Sequence, residues 1–340
     1  AYEIMPSLVG SEMGIRDRRM AQTSAADGAI GQSMEEFARL VSEKSNGNIE
    51  ITVFHNGQLG TERDNVEACQ LGNLDMAVVN NSVMANFIPW FSAFDLPYVI
   101  ENTDHADKVF LGEIGDEMLT AMDDIGVHGL SIWESGFRNL TNSVRPVNSL
   151  ADVSGLRIRV MENPVHQALW MALGADAVPM NWSDAYTGMQ QGAIDGQENP
   201  TTVIDKNNVA EVNDELAVTE HVYSTVAVIM SPSVWNSLGE ENQKIINEAM
   251  AEVEKKMNEV IDRHLPVTIE FMPKEKAGGI VDLSKLPDDA SDTLRIVRIG
   301  DYDACACIGS HVANTSEIGH FKLLNYDYAD GRLRLRFKLV

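Results

Sequence analysis

The sequence predicts an α/β fold with mostly parallel sheets, because segments with helical and strand-like periodicity alternate from residue 30 onwards. Apolar residues recur at helical spacing between Met34 and Val41, and this run stops at Asn46 and Gly47. Residues 49–54 then alternate apolar and polar side chains, as a strand does. At 340 residues, the chain has room for about two domains of roughly 150 residues each.

The next elements carry their own start and stop signals. Residues 61–71 read as a helix that ends at Gly72, and residues 74–79 as a short strand buried on both faces. Thr103 can cap a helix that runs to about Ile125. Two strand-like segments follow, at 127–133 and 137–141.

The middle of the chain repeats this alternation. Residues 156–160 alternate as a strand, and Asn163 followed by Pro164 is typical of a helix start, with Gly174 closing the helix. Further segments are predicted as a strand at 175–178, a helix at 183–191 and a long charged helix at about 240–264. Helices and strands in this order favour βαβ units.

Composition narrows the possible functions. The chain carries 51 acidic and 26 basic residues, a formal net charge of −25, and 44% apolar residues. Such acidity argues against nucleic acid and against an anionic membrane surface as partners. No apolar run of about 18 residues is present, no signal peptide pattern is visible at the start, and three cysteines are too few for a disulfide framework.

The charge is distributed unevenly. From residue 285 to 340 eight basic residues balance eight acidic ones, so the whole excess lies in residues 1–284. This shift predicts a domain boundary between about 265 and 290. At the other end, residues 1–18 resemble a translated sequencing adapter, so we expect them to be an artefactual arm that replaced a native signal peptide.

The chemistry points to binding rather than catalysis. A glycine-rich phosphate loop, a Gly-x-Ser-x-Gly elbow and a His-Glu-x-x-His motif are all missing. Arg157 and Arg159 share one face of a predicted strand, and Arg138 lies in another strand-like segment. An arginine held on a strand can present a planar fork to a carboxylate, although a surface ion pair is the alternative.

Two further positions could line a cleft. Asn199 precedes Pro200 in a segment that reads as a turn, and the proline forces Asn199 towards an extended backbone that can aim its amide. The alternative is a solvated turn. Trp182 stands at a strand-to-helix junction, where it can stack on a ligand or fill the core.

Together these pieces resemble one family, the DctP-type solute-binding proteins of tripartite ATP-independent periplasmic (TRAP) transporters, over about residues 19–264. The resemblance depends on many short motifs in the right order rather than on any one of them. They include Asn-Gly-Gln-Leu-Gly at 56–60, Leu-Asp-Met at 74–76, Phe-Asp-Leu-Pro-Tyr at 94–98, Gly-Phe-Arg at 136–138, Gly-Leu-Arg-Ile-Arg at 155–159, Pro-Met at 179–180 and Asp-Gly-Gln-Glu-Asn-Pro at 195–200.

The resemblance implies a type II-like, hinged two-domain periplasmic binding protein with a long connecting helix. One lobe would comprise residues 19–136 and 222–264 and the other residues 137–221, with a small, β-rich α+β appendage at 265–340. It also implies a non-enzyme, located in the periplasm and monomeric. Such a protein captures a small organic acid, a C4-dicarboxylate or a related carboxylate, without a cofactor and delivers it to the membrane permease subunits.

The same resemblance assigns roles to individual residues. Arg159 would form the main salt bridge to the ligand carboxylate, supported by Arg138, and Asn199 would contact the same carboxylate. Trp182 would lie over the ligand. The residues expected to tune the other end of the ligand are Asn80, Asn81 and Gln22.

The tail, about residues 273–340, resembles instead the end of alanyl-tRNA editing domains. Cys307 and His311 match the Cys-x-x-x-His half of that family's zinc site. The His-x-x-x-His half is missing, because no two of the eight histidines are four residues apart. We therefore expect neither bound zinc nor editing activity, and we interpret the chain as a chimera, with a genuine fusion as the alternative. The binding-protein part would then stop before its family's last elements.

Overall fold

The computed structural model describes residues 17–262, 267–277, 293–299, 303–306, 321–329 and 332–339. Its first half alternates short strands with helices, as the sequence predicts. The elements are β1 (Asp17–Ala21), α1 (Ala29–Lys44), β2 (Glu50–Phe54), α2 (Glu62–Gln70), β3 (Met76–Asn80), α3 (Asn81–Met84), a 3-10 helix (Pro89–Asp95), α4 (Thr103–Phe110) and α5 (Glu113–Asp124).

The second half continues this alternation after one long strand. Its elements are β4 (His128–Asn142), α6 (Leu150–Val153), β5 (Arg157–Val160), α7 (Pro164–Ala172), β6 (Asp176–Pro179), α8 (Trp182–Gln190), β7 (Gly196–Pro200), α9 (Thr201–Lys206), a second 3-10 helix (Val209–Glu211), β8 (Glu215–Ala217), β9 (Tyr223–Met230) and α10 (Pro232–Asp262). The α/β class is therefore confirmed.

The strands form one nine-stranded sheet in the order β2-β1-β3-β9-β4-β7-β5-β6, with β8 also on β4. The expectation of mostly parallel sheets was wrong. Pairs within each half are parallel (β1–β2, β1–β3, β5–β6, β5–β7), but β9 and β4 run antiparallel to their neighbours (β3–β9, β4–β9, β4–β7, β4–β8). Local periodicity cannot show this direction, because it is set by how the two halves are connected.

Strand β4 joins the two halves of the sheet. Its first part, up to Phe137, pairs with β9, and its last part, from Arg138, pairs with β7. The two strand segments predicted at 127–133 and 137–141 are thus one strand with irregular register around Gly129 and Gly136. The same strand therefore carries residues into both halves.

One of the two long helix predictions needs correction. Two helices take the place of the single helix expected from Thr103 to Ile125. The first, α4, is capped by Asn102 rather than Thr103, and the second, α5, starts after Gly112. A Cβ on Gly112 would lie 2.4 Å from the carbonyl oxygen of Lys108, so this tight break requires glycine. The predicted long helix is confirmed, because Gly239 has a non-helical φ of +74° and ψ of 162° that divides α10 and leaves a long helix from residue 240 onwards.

Apolar clusters cover the sheet on both faces. On one face of the first half, Met34 and Phe37 of α1 pack with Ile246 and Ala249 of α10 against the strands. Trp170 of α7 fills a separate cluster in the second half. Two packed units on a shared sheet agree with the two-lobed fold expected from the resemblance, whereas the lobe boundaries given above stay a prediction.

Beyond α10 the described residues are mostly strands. They are β10 (Val267–Pro273), α11 (Lys274–Ala277), β11 (Thr293–Ile299), β12 (Asp303–Ala306), β13 (Phe321–Ala329) and β14 (Arg332–Leu339). Strands β10, β11 and β12 form an antiparallel sheet, and β13 pairs with β14. Residues 1–16 of the predicted arm lie outside the described residues, whereas Asp17 and Arg18 belong to β1.

Candidate functional site

A cavity of about 40 Å³ lies between the two halves of the sheet. The first half contributes residues at the ends of β1 and β3 and at the start of α2. The second half contributes residues from β5, β7 and the start of α8. Its polar and aromatic lining includes Gln22, Thr23, Ser24, Glu62, Asn80, Ser135, Arg159, Trp182 and Asn199. Ligand sites of α/β proteins form at such carboxyl ends of parallel strands.

Arg159 is the cation of this cavity. It is the third residue of β5 and only 3% exposed, because β6 and β7 flank its strand. Its Nε donates to the carbonyl oxygen of Met180 at 2.8 Å, which orients the guanidinium plane. Among the residues that the structure describes, its terminal nitrogens have no hydrogen-bond partner and no carboxylate within 4.0 Å.

Burial explains the electrostatics of Arg159. Desolvation and, after it, the neighbouring cation Arg138 lower the pKa of its guanidinium to about 10, against the attraction of Glu198 and Glu62. The group stays protonated at neutral pH. A buried charge without a partner is costly, so this site is suited to an anion.

Arg157, two residues earlier on the same strand, is engaged differently. Its Nη2 donates to Asp195 at 2.5 Å, and its Nη1 donates to the carbonyl oxygen of Ala193 at 3.0 Å. The two arginines that the sequence could not distinguish therefore differ, because Arg157 has a protein carboxylate and Arg159 faces the cavity.

Trp182 and Asn199 flank Arg159. The guanidinium carbon of Arg159 lies 5.4 Å from the ring centroid of Trp182, within the range of a cation–π contact. The expected turn around Asn199 is wrong, because residues 196–200 form the buried strand β7. The Nδ2 of Asn199 donates to Gln197 at 2.6 Å, and since an amide nitrogen carries two hydrogens, one remains for another acceptor.

Arg138 does not line the cavity wall and has a partner of its own. Its Nε donates to Oε2 of Glu198 at 2.5 Å and its Nη2 donates to Oε1 at 3.0 Å, with both residues fully buried. Nη1 donates to Ser224 at 3.3 Å. This pairing places Arg138 as a support beneath the cavity, and a direct contact between Arg138 and a ligand stays a prediction.

Glu198 is the centre of a larger buried network. Burial raises the pKa of this carboxyl, but Arg138 and His166 outweigh burial and hold the pKa well below its usual range. His221 lies 3.0 Å from Oε2 of Glu198, and Nδ1 of His166 lies 3.6 Å from Oε1. Through Nε2, His166 also reaches Asp95 at 3.2 Å. The network therefore joins α7 and β7 to the 3-10 helix of the first half.

Gln22 follows β1 directly and is 2% exposed. Its Nε2 lies 2.7 Å from Nδ1 of His55, whose Nε2 lies 2.8 Å from Glu35. The Oε1 atom of Gln22 is buried and has no hydrogen-bond partner among the described residues. Gln22 is thus held in place by His55 and contributes an amide oxygen without a partner to the cavity lining.

Glu62 is the first residue of α2 and also lines the cavity. Its Oε1 accepts the backbone N–H of Asn80 at 2.8 Å. Burial raises the pKa of this carboxyl, while Asn80 and the charges of Arg159 and Arg138 oppose the shift. Sequence reasoning missed this role, because Glu62 has the pattern of an ordinary first-turn acid after the helix cap Thr61.

The two remaining predicted tuning residues differ. Asn80 lines the cavity, although its side chain is already engaged with Ser224 and the backbone N–H of Ser82. Asn81 is buried away from this lining, and its Nδ2 lies 3.5 Å from the carbonyl oxygen of Phe91. Asn81 therefore does not line the cavity that Gln22, Asn80 and Arg159 share.

The predicted zinc ligands Cys307 and His311 lie outside the described residues. Within the part of the chain that the structure describes, no three His, Cys, Asp or Glu side chains are grouped so as to hold a metal ion. No described helix is both long and apolar enough to span a bilayer.

Comparison with known proteins gives two matches along the chain. Residues 20–292 match the family described as bacterial extracellular solute-binding protein, family 7, which extends past the end at residue 264 that the motifs indicated. Residues 294–335 match the threonyl and alanyl tRNA synthetase second additional domain.

Individual relatives agree with the first match. A solute-binding protein of Verminephrobacter eiseniae is 36% identical over 68% of this chain and 69% of its own length. The crystal structure of the sugar-acid-binding protein DctPAm from Advenella mimigardefordensis with galactonate has a TM-score of 0.70 and 32% identity, and covers 71% of this chain and 78% of that one.

A TRAP periplasmic solute-binding protein from Sulfurospirillum deleyianum with bound succinate has a TM-score of 0.69 and 30% identity, over 72% of this chain and 78% of that one. The family match covers most of the chain, and the structural neighbours agree with it. The chain therefore belongs to the bacterial extracellular solute-binding proteins of family 7, whose members bind solutes rather than catalyse reactions.

Proposed function

We propose that this protein captures a small organic acid outside the cytoplasm by closing Arg159 onto one ligand carboxylate. The observation that carries the proposal is the buried guanidinium of Arg159, which faces the cavity without a protein carboxylate among the described residues. A ligand carboxylate supplies the missing partner, because two parallel N–H···O bonds match the guanidinium fork.

The magnitudes are sufficient for useful affinity. Each charge-assisted hydrogen bond contributes about 1.5–3 kcal/mol net. Two such bonds to Arg159 and one to the free hydrogen of Asn199, with contact to Trp182, can reach about −8 kcal/mol, a micromolar dissociation constant. The −25 net charge repels anions at long range, but salt screens it beyond about 8–10 Å.

The bound ligands of two structural neighbours support this chemistry. Galactonate and succinate differ in length and polarity but share a carboxylate. We propose the same division here, with Arg159 holding the carboxylate and the opposite wall selecting the rest of the molecule. C4-dicarboxylates belong to this range of candidates together with sugar acids.

The delivery step follows from the family. We propose that the closed, loaded protein passes its ligand in the periplasm to the membrane permease of a TRAP transporter, and that it does so as a monomer. Support comes from the neighbour described as a TRAP periplasmic protein.

The match at residues 294–335 supports a chimeric origin for the chain rather than a second activity. We propose that residues after about 293 derive from a tRNA-editing domain and take no part in binding the acid. Amplification of the source DNA across codons 285–300 tests this, since a chimera of gene fragments yields no product from genomic DNA.

A thermal-shift screen of the full chain tests the binding function. Sodium salts of aldonates, dicarboxylates, hydroxy acids and amino acids at millimolar concentration should include at least one that raises the melting temperature by several degrees, because a ligand that binds only the folded state stabilises it by mass action. The uncharged amides or lactones of the same compounds should have no effect. Equal stabilisation by acid and amide would contradict the proposal.

A further inference from the structure

The first half of the sheet contributes a cavity wall whose chemistry determines which carboxylate fits, an inference that rests on the proposed capture of an acid by Arg159. Two hydrogen-bond acceptors on this wall lack donors among the described residues. One is Oε1 of Gln22, which is buried. The other is the second carboxylate oxygen of Glu62, whose Oε1 alone is engaged, by the N–H of Asn80.

The orientation of Gln22 is fixed from behind. The amide nitrogen of Gln22 can only donate, so Nδ1 of His55 is the acceptor and Nε2–H donates to Glu35. Nδ1 then accepts the amide hydrogen of Gln22 over 2.7 Å. The NH₂ group of Gln22 therefore faces His55, and Oε1 is the atom that is left without a partner among the described residues.

Glu62 adds a carboxylate to the same wall: burial raises its pKa, whereas the N–H of Asn80 and the cations Arg159 and Arg138 favour its charged form. No nitrogen of Arg159, or of any other described basic residue, lies within 4.0 Å of its carboxylate. Arg159 and Glu62 thus line one cavity as opposite charges that do not touch each other. A ligand that spans them must present an acceptor to Arg159 and donors to Glu62.

The charge balance then separates classes of acid. Arg138 is neutralised by Glu198, which leaves Arg159 as the one unpaired cation among the described residues that line the cavity. A dicarboxylate would place its second charge, which has no donor hydrogen, against Glu62 and Gln22. Like charges at such a buried site disfavour binding strongly.

We propose that the site selects a polyhydroxylated monocarboxylate of the sugar-acid class, with its carboxylate on Arg159 and its hydroxyls donating to Gln22 Oε1 and Glu62. Hydroxyls both donate and accept, so they also suit Thr23 and Ser135 on the same lining. The two acceptors lie on different elements, at the end of β1 and at the start of α2. The donors of an ammonium group all lie on one atom, so an amino acid matches these acceptors less well than a ligand with several hydroxyls. A site that hydrogen-bonds hydroxyls rejects analogues that lack them.

Isothermal titration of the full chain tests this selection with six probes. Three are aldonates (D-galactonate, D-gluconate and D-mannonate), and the others are hexanoate, succinate and L-serine. We expect at least one aldonate to bind at least 100-fold more tightly than hexanoate, which has the same carbon number without hydroxyls, and than succinate or serine.

Variants of Glu62 and Gln22 test whether these two residues cause the preference for aldonates. Glu62→Gln removes the charge, so the preference for the aldonate over succinate should fall at least tenfold, and Gln22→Leu should weaken the aldonate at least tenfold. Glu67→Gln, the same change at an exposed position of α2, should alter neither quantity. A merely structural role of Glu62 would weaken all probes alike and leave the preference unchanged.

The outcomes separate the two proposals. Tight binding of succinate, hexanoate or serine in preference to every aldonate, lost in Arg159→Ala, would overturn the sugar-acid inference and leave the binding function standing. The same holds for an aldonate preference that survives Glu62→Gln. Absence of binding by all six probes would overturn the sugar-acid inference, and a thermal-shift screen in which no acid raises the melting temperature would overturn the proposed function as well.

Discussion

Arg138 and Glu198 form a buried bidentate ion pair between the adjacent strands β4 and β7, with Nε–Oε2 and Nη2–Oε1 distances of 2.5 and 3.0 Å. This pair decides which arginine of the site is available. Because Glu198 takes Arg138, the like charge that would otherwise compete with Arg159 is neutralised. The pair also anchors β7, and with it Asn199, against the strand that joins the two halves.

Breaking this pair should be costly. Glu198→Gln leaves Arg138 buried without a counter-charge, so we expect a loss of about 3–5 kcal/mol in the free energy of unfolding, measured by urea titration. The double variant Arg138→Met with Glu198→Gln should lose less than the sum of the single variants. Arg39→Met, which removes an exposed pair with Glu36 and Glu43, should cost no more than about 1 kcal/mol. Equal losses at the buried and exposed pairs would contradict this account.

His166 should make stability depend on pH above neutrality. Burial lowers the pKa of His166, but Glu198 and Asp95 outweigh burial and raise the pKa above its ordinary value. A raised pKa in the folded state means that its contribution is complete below about pH 6.5, the unfolded value, and is lost as pH rises through the folded value. His221, Ser82 and Arg138 complete the surroundings of this cluster.

Urea unfolding between pH 6.5 and 9 measures this effect. The free energy of unfolding should fall as pH rises in the parent protein, and the fall should be smaller in His166→Gln. His105→Gln, at a partly exposed position of α4, is the control and should keep the parent slope. An unchanged slope in His166→Gln would show that the raised pKa is not coupled to folding.

Gly196 should tolerate no side chain, because β7 and β4 approach closely there. A Cβ on Gly196 would lie 2.0 Å from the carbonyl oxygen of Thr141 and 2.9 Å from Cα of Asn142. We expect Gly196→Ala to destabilise the protein by more than about 3 kcal/mol or to abolish its soluble expression. Gly192→Ala, with a φ of +68° but open space, should cost only about 1–2 kcal/mol of backbone strain. Similar melting temperatures for the two variants would refute the close approach.

Local signals predicted many of the elements. The helical spacing of α1, the alternation of β5 and the Asn163–Pro164 start of α7 all lie within a few residues of chain, and the structure confirms them. By contrast, β7 looked like a turn because its polar side chains and proline are typical of turns. Its burial depends on β4 and β5, which are distant in sequence.

In the site, too, local signals were predicted and contacts between distant segments were not. The sequence placed Arg157 and Arg159 on one face of a strand but could not show that Asp195 occupies the first and leaves the second free. Both carboxylates that pair with these arginines, Asp195 and Glu198, come from the segment that was predicted as a turn. Glu62 was missed entirely, since only the approach of α2 to the second half turns a first-turn acid into a cavity wall.

The affinity of Arg159→Ala measures the central claim most directly. Titration of the full chain with D-galactonate and with succinate should show at least a 100-fold loss for whichever acid the parent protein binds, because two charge-assisted hydrogen bonds of about 1.5–3 kcal/mol each disappear. Arg157→Ala, on the same strand but paired with Asp195, should keep the parent affinity within about threefold. An Arg159→Ala protein that is folded and retains full affinity would contradict the account.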